Sequence, residues 1–370
     1  MVESLAELAS RFVVRAGVAP AAAVAIAFKK RGVWQLESGA AGTRSVSSSE
    51  PVTADSPFDL ASITKPFVAA ALVRSSQHGQ LALDRPLGEL LPSLRGSHAA
   101  ACSIEQLLAH RSGLAAHRAL YVPLLAGEAF DRKRALWEAA QAIRPECRAP
   151  ASSGEFPPVY SDLGYILAGA AAEHALAAPL EALLRAQVGE PLGLRAGPAR
   201  QWLQDDPQFL ERVVPTDIVA WRGGELSGVV HDDNAWALSG HALSGHAGLF
   251  GTAACVARFG SAMLDALAGR AGSWLDRASA EFLCRPRAGG SLRAGFDGKA
   301  ALGSTAGDSA GPRTFGHLGF TGTSFWCDPD RECVSVLLTN RVRLGDSREK
   351  IRDARPRVHD ALFSWADARA

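Results

Sequence analysis

The sequence predicts an α+β fold in which strands from both ends of the chain meet in one antiparallel sheet and a helical lobe is inserted between them. Three observations carry this. Residues 21–38 hold two β-rich runs around the turn Lys29-Lys30-Arg31-Gly32. Residues 322–339 hold two more, separated by Pro329, Asp330 and Arg331. Between them, from about 62 to 290, alanine and leucine dominate in helical runs broken by glycine and proline.

Taken in order, residues 3–17 place Leu5, Leu8, Phe12 and Val13 at helical spacing and stop near Gly17. Strands follow over 21–28 and 33–38, then a loop over 40–59 rich in Gly, Ser, Pro and Asp. Helical runs cover 63–77, 103–110, 135–142, 163–177, 179–188 and 252–267. Ser103 stands three residues before Gln106, the spacing of a capping box. The strands 322–328 and 333–339 precede a last amphipathic helix over 347–367. The first and last helices should cover one face of the sheet. All of 1–370 is read as one domain, with an α/β part at about 1–60 and 290–370 and a helical lobe at about 61–289. No internal repeat interrupts this order.

Composition bounds the partners. The 39 basic and 38 acidic residues leave no field for nucleic acid, and the clusters at 29–31 and 132–134 read as solvated surface. No run reaches the ~18 apolar residues of a membrane span, so no transmembrane segment is expected. Val18–Phe28 has the look of a signal-peptide core, but Glu3 and Glu7 precede it and no small-residue cleavage site follows. It reads as a buried strand, and the expected location is cytoplasmic. Cysteines stand at 102, 147, 255, 284, 327 and 333, with no Cys-x-x-Cys pair. Cys327 and Cys333 flank a probable hairpin turn and could pair; buried free thiols are the favoured reading. The oligomeric state is left open.

The chemistry begins at Ser62 and Lys65, three apart where a loop becomes an apolar run. On a helix they share a face. A serine at a helix start also has an unsatisfied backbone N–H that can stabilise an oxyanion. Lys65 could take its proton if burial and neighbouring positive charge lower the lysine pKa. By itself the pair reads better as an N-cap and an exposed lysine. Two other stretches change that balance. Tyr160-Ser161-Asp162 heads a helix with a tyrosine and a polar acceptor. His317-Leu318-Gly319-Phe320 puts a donor or cation two residues before a glycine, where a substrate backbone could approach a strand edge.

With these motifs in order, the sequence resembles the serine β-lactamase and penicillin-binding protein superfamily, in particular its class C β-lactamase-related branch. The resemblance runs through ASITKPF (61–67), LDRPLGELLP (83–92), IEQLLAHRSGL (104–114), YSDLGYILAGAAAEH (160–174), VVHDDNAWALSGHALSGHAGLF (229–250), GHLGFTGTSFWCDP (316–329) and VLLTNRV (336–342). It implies a β-lactamase/transpeptidase-like antiparallel sheet of five or more strands, flanked by helices. It implies that Ser62 is acylated, that Lys65 assists proton removal and that Tyr160 shares the general-base work. The implied oxyanion hole is the backbone N–H of Ser62 and of Phe320. Asp162, His317, Gly319, Asn340 and Arg341 are the implied substrate contacts. The implied substrate is a small-molecule amide, peptide or ester, and neither a cofactor nor a metal is called for.

Two departures from the family pattern bear on the substrate. Asp162 stands where β-lactamases of this branch carry asparagine; it should hold Lys65 cationic and repel an anionic substrate. His317 replaces the lysine of the Lys-Thr-Gly triplet, and a histidine is mostly neutral at pH 7. Arg341 is the alternative cation for a carboxylate, or else a surface arginine. Both departures favour a D,D-peptidase/amidase-like or esterase-like serine hydrolase. The alternatives are a true β-lactamase or a non-catalytic scaffold on the same fold.

His231, Asp232, Asp233, His241 and His246 invite a zinc reading but lack ligand spacing. The family resemblance implies structural, hydrogen-bonded residues bordering the cleft. His110 and Arg111 read as a helix end, with Gly113 as its C-terminal cap. The tryptophans at 137, 202, 221, 236 and 326 read as core or rim packing.

Overall fold

Arg31 and Gly32 both have positive φ (51° and 80°), the conformation of a two-residue hairpin turn. They join β1 (Ala21–Lys30) to β2 (Val33–Gly42), with Lys30 opposite Val33. The computed structural model that shows this describes residues 3–45, 49–148, 154–345 and 347–370. The same sheet also holds β3 (Asp297–Gly298), β4 (Phe315–Leu318), β5 (Ser324–Asp328) and β6 (Cys333–Thr339). These six strands form an antiparallel sheet in the order β2-β1-β6-β5-β4-β3. The two ends of the chain meet at β1 and β6, where Val24 faces Leu337.

The apolar run at 21–28 is buried on both faces because β1 is central. Its residues alternate. Ala21, Ala23, Ala25 and Ala27 join one core; Ala22, Val24, Ile26 and Phe28 join the other. The same alternation parts Cys327 from Cys333: the first faces one core, the second the other, and both are free thiols. A disulfide would need both on one face.

Helix α1 (Leu5–Ala9), capped by Ser4, widens into a π-turn through Val14. Next come α2 (Thr64–Gln77), α3 (Ile104–Leu108), α4 (Arg132–Gln141) and α5 (Asp162–Leu176). Then follow α6 (Ala253–Leu267), α7 (Arg277–Cys284) and α8 (Arg348–Asp367). Helices α1 and α8 cover one sheet face. On the other, α6 stacks Phe259 on Phe67 of α2, with ring centroids 3.9 Å apart. Helix α2 is buried nearly all round and links the sheet to the lobe. Among the described residues no single helix is long and apolar enough to cross a membrane.

Three expectations shift. The run at 179–188 divides into Leu180–Leu184 and a π-turn at Arg185–Gly189. The expected loop over 40–59 is partly strand: β2 reaches Gly42, and Phe58–Asp59 pairs with Phe250–Gly251; its residues 46–48 lie outside the described ones. Ser103 and Gln106 make both bonds of the capping box, but α3 does not end on Gly113. Its left-handed residue is His110 (φ 59°). Gly113 answers a later demand, since a Cβ there would meet Phe156 Cδ2 at 2.7 Å.

Candidate active site

The turn before α2 is fixed from three sides. Asp59 accepts the N–H of Ala61 (2.8 Å) and of His231 (2.7 Å). Thr321 and Thr323 donate their hydroxyls to the carbonyls of Asp59 and Leu60, each at 3.0 Å. Ala61 is thereby held in the left-handed region (φ 50°), a strained place for an alanine. Burial pushes the Asp59 carboxyl up to about 6 against those two backbone bonds.

Ser62 follows in a short 3₁₀ turn and does not cap α2; the N-cap position is Ile63, which makes no side-chain bond. The Ser62 Oγ instead accepts from Lys65 Nζ at 2.9 Å. Lys65 is fully buried. Its Nζ lies 2.7 Å from Asp162 Oδ1 and donates to the His246 carbonyl at 3.3 Å. Burial lowers its affinity for a proton, but Asp162 and then Tyr160 outweigh that, and the pKa is pushed up to about 12. The condition for proton uptake by the lysine, a lowered pKa, is not met. At rest Lys65 is an ammonium, as the aspartate substitution implied. Burial opposes the charge on Asp162 as well, yet the ammonium holds its carboxyl well below the usual range.

Tyr160 lies across the same cluster. Lys65 Nζ is 4.8 Å from its ring centroid, and Tyr160 lines the cleft beside Ser62. Burial raises the phenol above its ordinary value, only partly countered by Lys65. At neutral pH it is protonated.

His317 on β4 is buried with its ring 5.9 Å from that of Tyr160. Its Nδ1 lies 2.7 Å from the Leu318 carbonyl, so Nδ1 carries the proton and Nε2 the lone pair. Burial and then the Lys65 charge push it down to about 3. The group standing in the family's lysine position is therefore neutral, with an acceptor at Nε2.

Two residues on, Gly319 lets two backbones touch. A Cβ there would fall 2.7 Å from the Leu60 carbonyl and 3.3 Å from Ala61 Cβ. The end of β4 and the Ser62 turn thus lie side by side. Arg355 of α8 is buried and donates to the carbonyls of Gly319 (2.8 Å) and Thr323 (2.9 Å). Beyond it, Phe320 is half exposed, with the guanidinium of Arg341 4.8 Å and that of Arg348 5.6 Å from its ring centre.

Ser62, Tyr160, Asp162, His317, Gly319, Phe320 and Arg341 line one cleft of about 990 Å³, with Lys65 buried beneath Ser62. Arg341 is buried at this cleft rather than on the open surface. Asn340 does not join them. Its Oδ1 accepts the Ala21 N–H, and its Nδ2 donates to the carbonyls of Arg44 and Pro215, so it ties β1 to two loops. The histidine-rich segment lines the same cleft through residues 231–234: His246 bonds Asp232 (2.8 Å) and Ser244 (3.0 Å), and Asn234 holds the backbone at Arg118 and Leu120. Trp221 stacks on Tyr121 at the rim, with Trp236 behind it, while Trp202 and Trp326 are core.

Sequence reasoning missed Asp59, His117 and Arg355. His117 Nδ1 sits 3.6 Å from Asp162 Oδ2, and that carboxylate raises its pKa. Only Asp59, three residues before the serine, stood close enough to a motif to be suspected.

The sequence is 31% identical over 195 residues to a putative D-alanyl-D-alanine carboxypeptidase of Salmonella agona (strain SL483), covering 50% of this chain and 45% of that one. The chain thus matches less than half of that relative's length. It is 29% identical over 305 residues to an N-acetylmuramyl-L-alanine amidase of Bacillus subtilis (strain 168), covering 77% and 68%. The fold superimposes on D-amino acid amidase from Ochrobactrum anthropi SV3 with a TM-score of 0.70 at 20% identity, covering 98% of each chain. Residues 11–359 match the Beta-lactamase family. That match spans most of the chain, and this chain belongs to the Beta-lactamase family.

Proposed function

We propose that this protein is a serine hydrolase that acts through an acyl-enzyme on Ser62, on an amide or ester of the D-peptide or amino-acid amide kind rather than on β-lactams. The observation that carries the reading is the contact chain Asp162–Lys65–Ser62, at 2.7 and 2.9 Å, with the Tyr160 ring 4.8 Å from the lysine Nζ. The Ser62 Oγ attacks the carbonyl carbon; the C–N or C–O bond then breaks as the departing amine or alcohol takes up the serine proton, and water cleaves the ester on Ser62 to release the acid. The serine proton leaves into the Tyr160–Lys65–Asp162 chain, where the carboxylate is the one member able to accept a proton at rest. The tetrahedral oxyanion is held by the N–H groups of Ser62 and Phe320; the close approach at Gly319 supports that pairing.

The charge pattern supports the substrate class. A penicillin carboxylate directed at the family's lysine position would meet the His317 lone pair and the Asp162 carboxylate. Arg341 and Arg348, beside Phe320, offer a carboxylate partner at another point of the cleft. The D-alanyl-D-alanine carboxypeptidase and the D-amino acid amidase are named for substrates of this kind. The test is a pre-steady-state burst with a p-nitrophenyl acyl ester, then a panel of D-peptides, amino-acid amides, esters and β-lactams. A stoichiometric burst that Ser62→Ala lacks is expected, with turnover of amides or esters well above that of penicillins. No burst from wild type would return the chain to a binding role.

A further inference from the structure

His110 sits where a helix end calls for a different residue. Helix α3 closes with a Schellman pattern: Arg111 N–H to the Gln106 carbonyl (2.8 Å) and His110 N–H to the Leu107 carbonyl (3.1 Å). The residue at that point takes the left-handed conformation, at φ 59°. Glycine or asparagine suits it best, and a histidine there is strained. The cap does not explain the imidazole.

Its contacts do. The His110 carbonyl accepts the N–H of Val159 (3.1 Å), and its Nδ1 accepts the N–H of Ser161 (3.0 Å). These are the two residues flanking Tyr160. The imidazole itself packs 4.9 Å from the Tyr160 ring and 5.2 Å from Tyr165, whose hydroxyl is tied to the Leu108 carbonyl. The ring is buried, and burial followed by the Lys65 charge keeps it neutral, with a pKa near 3. Only the neutral ring can accept at Nδ1.

We infer that His110 is a positioning residue for Tyr160: it clamps the backbone on both sides of the tyrosine and backs its ring, setting the hydroxyl over Lys65 and Ser62. The strain at His110 is the cost of placing an imidazole acceptor where glycine would serve the helix. This rests on the acyl-enzyme reading above, so both are read in one experiment.

The test compares His110→Gly and His110→Asn with wild type, following the acylation rate and KM with the p-nitrophenyl ester. Glycine suits the cap and lacks the acceptor; asparagine tolerates the same φ and offers an Oδ1 near the place of Nδ1. The expected result is a fall of about 10²-fold in acylation rate for the glycine variant with KM little changed. The asparagine variant should recover most of it. A folded glycine variant acylating within about 3-fold of wild type, against that loss, would overturn the inference. So would a folded asparagine variant as slow as the glycine one, and it decides alone if glycine prevents folding. If wild type itself forms no acyl-enzyme, the proposed function fails first.

Discussion

His359 and Lys65 are both fully buried, and they are buried in opposite ways. His359, in the scaffold, lies between the hydroxyls of Ser324 and Ser335 at 2.8 Å each. It is neutral, and both its nitrogens are satisfied by neutral groups. Lys65, under the cleft, is a charge held by the counter-charge of Asp162. The backbone shows the same contrast. Arg31 and Glu332 take positive φ in the tight turns of the sheet and Ala177 at a helix end, whereas Ala61 does so against the candidate nucleophile and His110, at a helix end too, beside Tyr160. The scaffold obeys the ordinary rules of burial, and the departures gather where the chemistry is.

The largest expected effect breaks the charged side of that contrast. Lys65→Met should lower acylation by at least about 10³-fold. It should also destabilise the fold by roughly 1–3 kcal/mol, because Asp162, only partly exposed, loses its ammonium partner. Denaturant unfolding beside burst kinetics would separate the two effects. Unchanged stability would mean that water or His117 already satisfies Asp162.

Asp162→Asn is the sharper variant. If the serine proton travels toward the carboxylate, kcat should fall by about 10²-fold or more. If Lys65 alone is the base, loss of the anion lowers its pKa from about 12 and activity should hold or rise. A pH–rate profile of the variant distinguishes the two routes.

On the scaffold side the test is acid stability. Burial, helped by Arg355, pushes His359 from 6.5 down to about 3. The unfolded chain takes up the proton below 6.5 while the native chain does not. Stability from this group is therefore present above about 6.5 and lost as the pH falls toward 3. His317 and His110 add the same sign. A His359→Gln variant should lose stability less steeply between pH 6.5 and 4; an unchanged slope would show that His359 is protonated in the fold. The smallest effect concerns the cysteines. Burial raises the thiols of Cys255, Cys284, Cys327 and Cys333. They should react with an aromatic disulfide reagent only at the rate of unfolding.

The scaffold was the legible part of this sequence. The hairpin, the strand at 333–339 and the last helix follow from alternation, turn residues and amphipathic spacing, which are local. The motif residues were legible as well: Ser62, Lys65, Tyr160, Asp162, His317, Gly319, Phe320 and Arg341 meet in one cleft. What stayed hidden depends on partners distant in sequence. Asn340 looks like a cleft residue until its bonds to Ala21, Arg44 and Pro215 are seen. Arg355 lies in a helix over thirty residues from the carbonyls it holds. The protonation of Lys65 follows from an aspartate almost a hundred positions away, which only the folded chain brings within 2.7 Å.

The central claim is that Ser62 carries the acyl group. Its most direct test is intact-protein and peptide mass measurement on enzyme quenched during the burst with the p-nitrophenyl ester, wild type beside Ser62→Ala. The account predicts one acyl mass on wild type, located on the peptide holding Ser62, and none on the variant. An adduct elsewhere, or an equal adduct on both proteins, would contradict it.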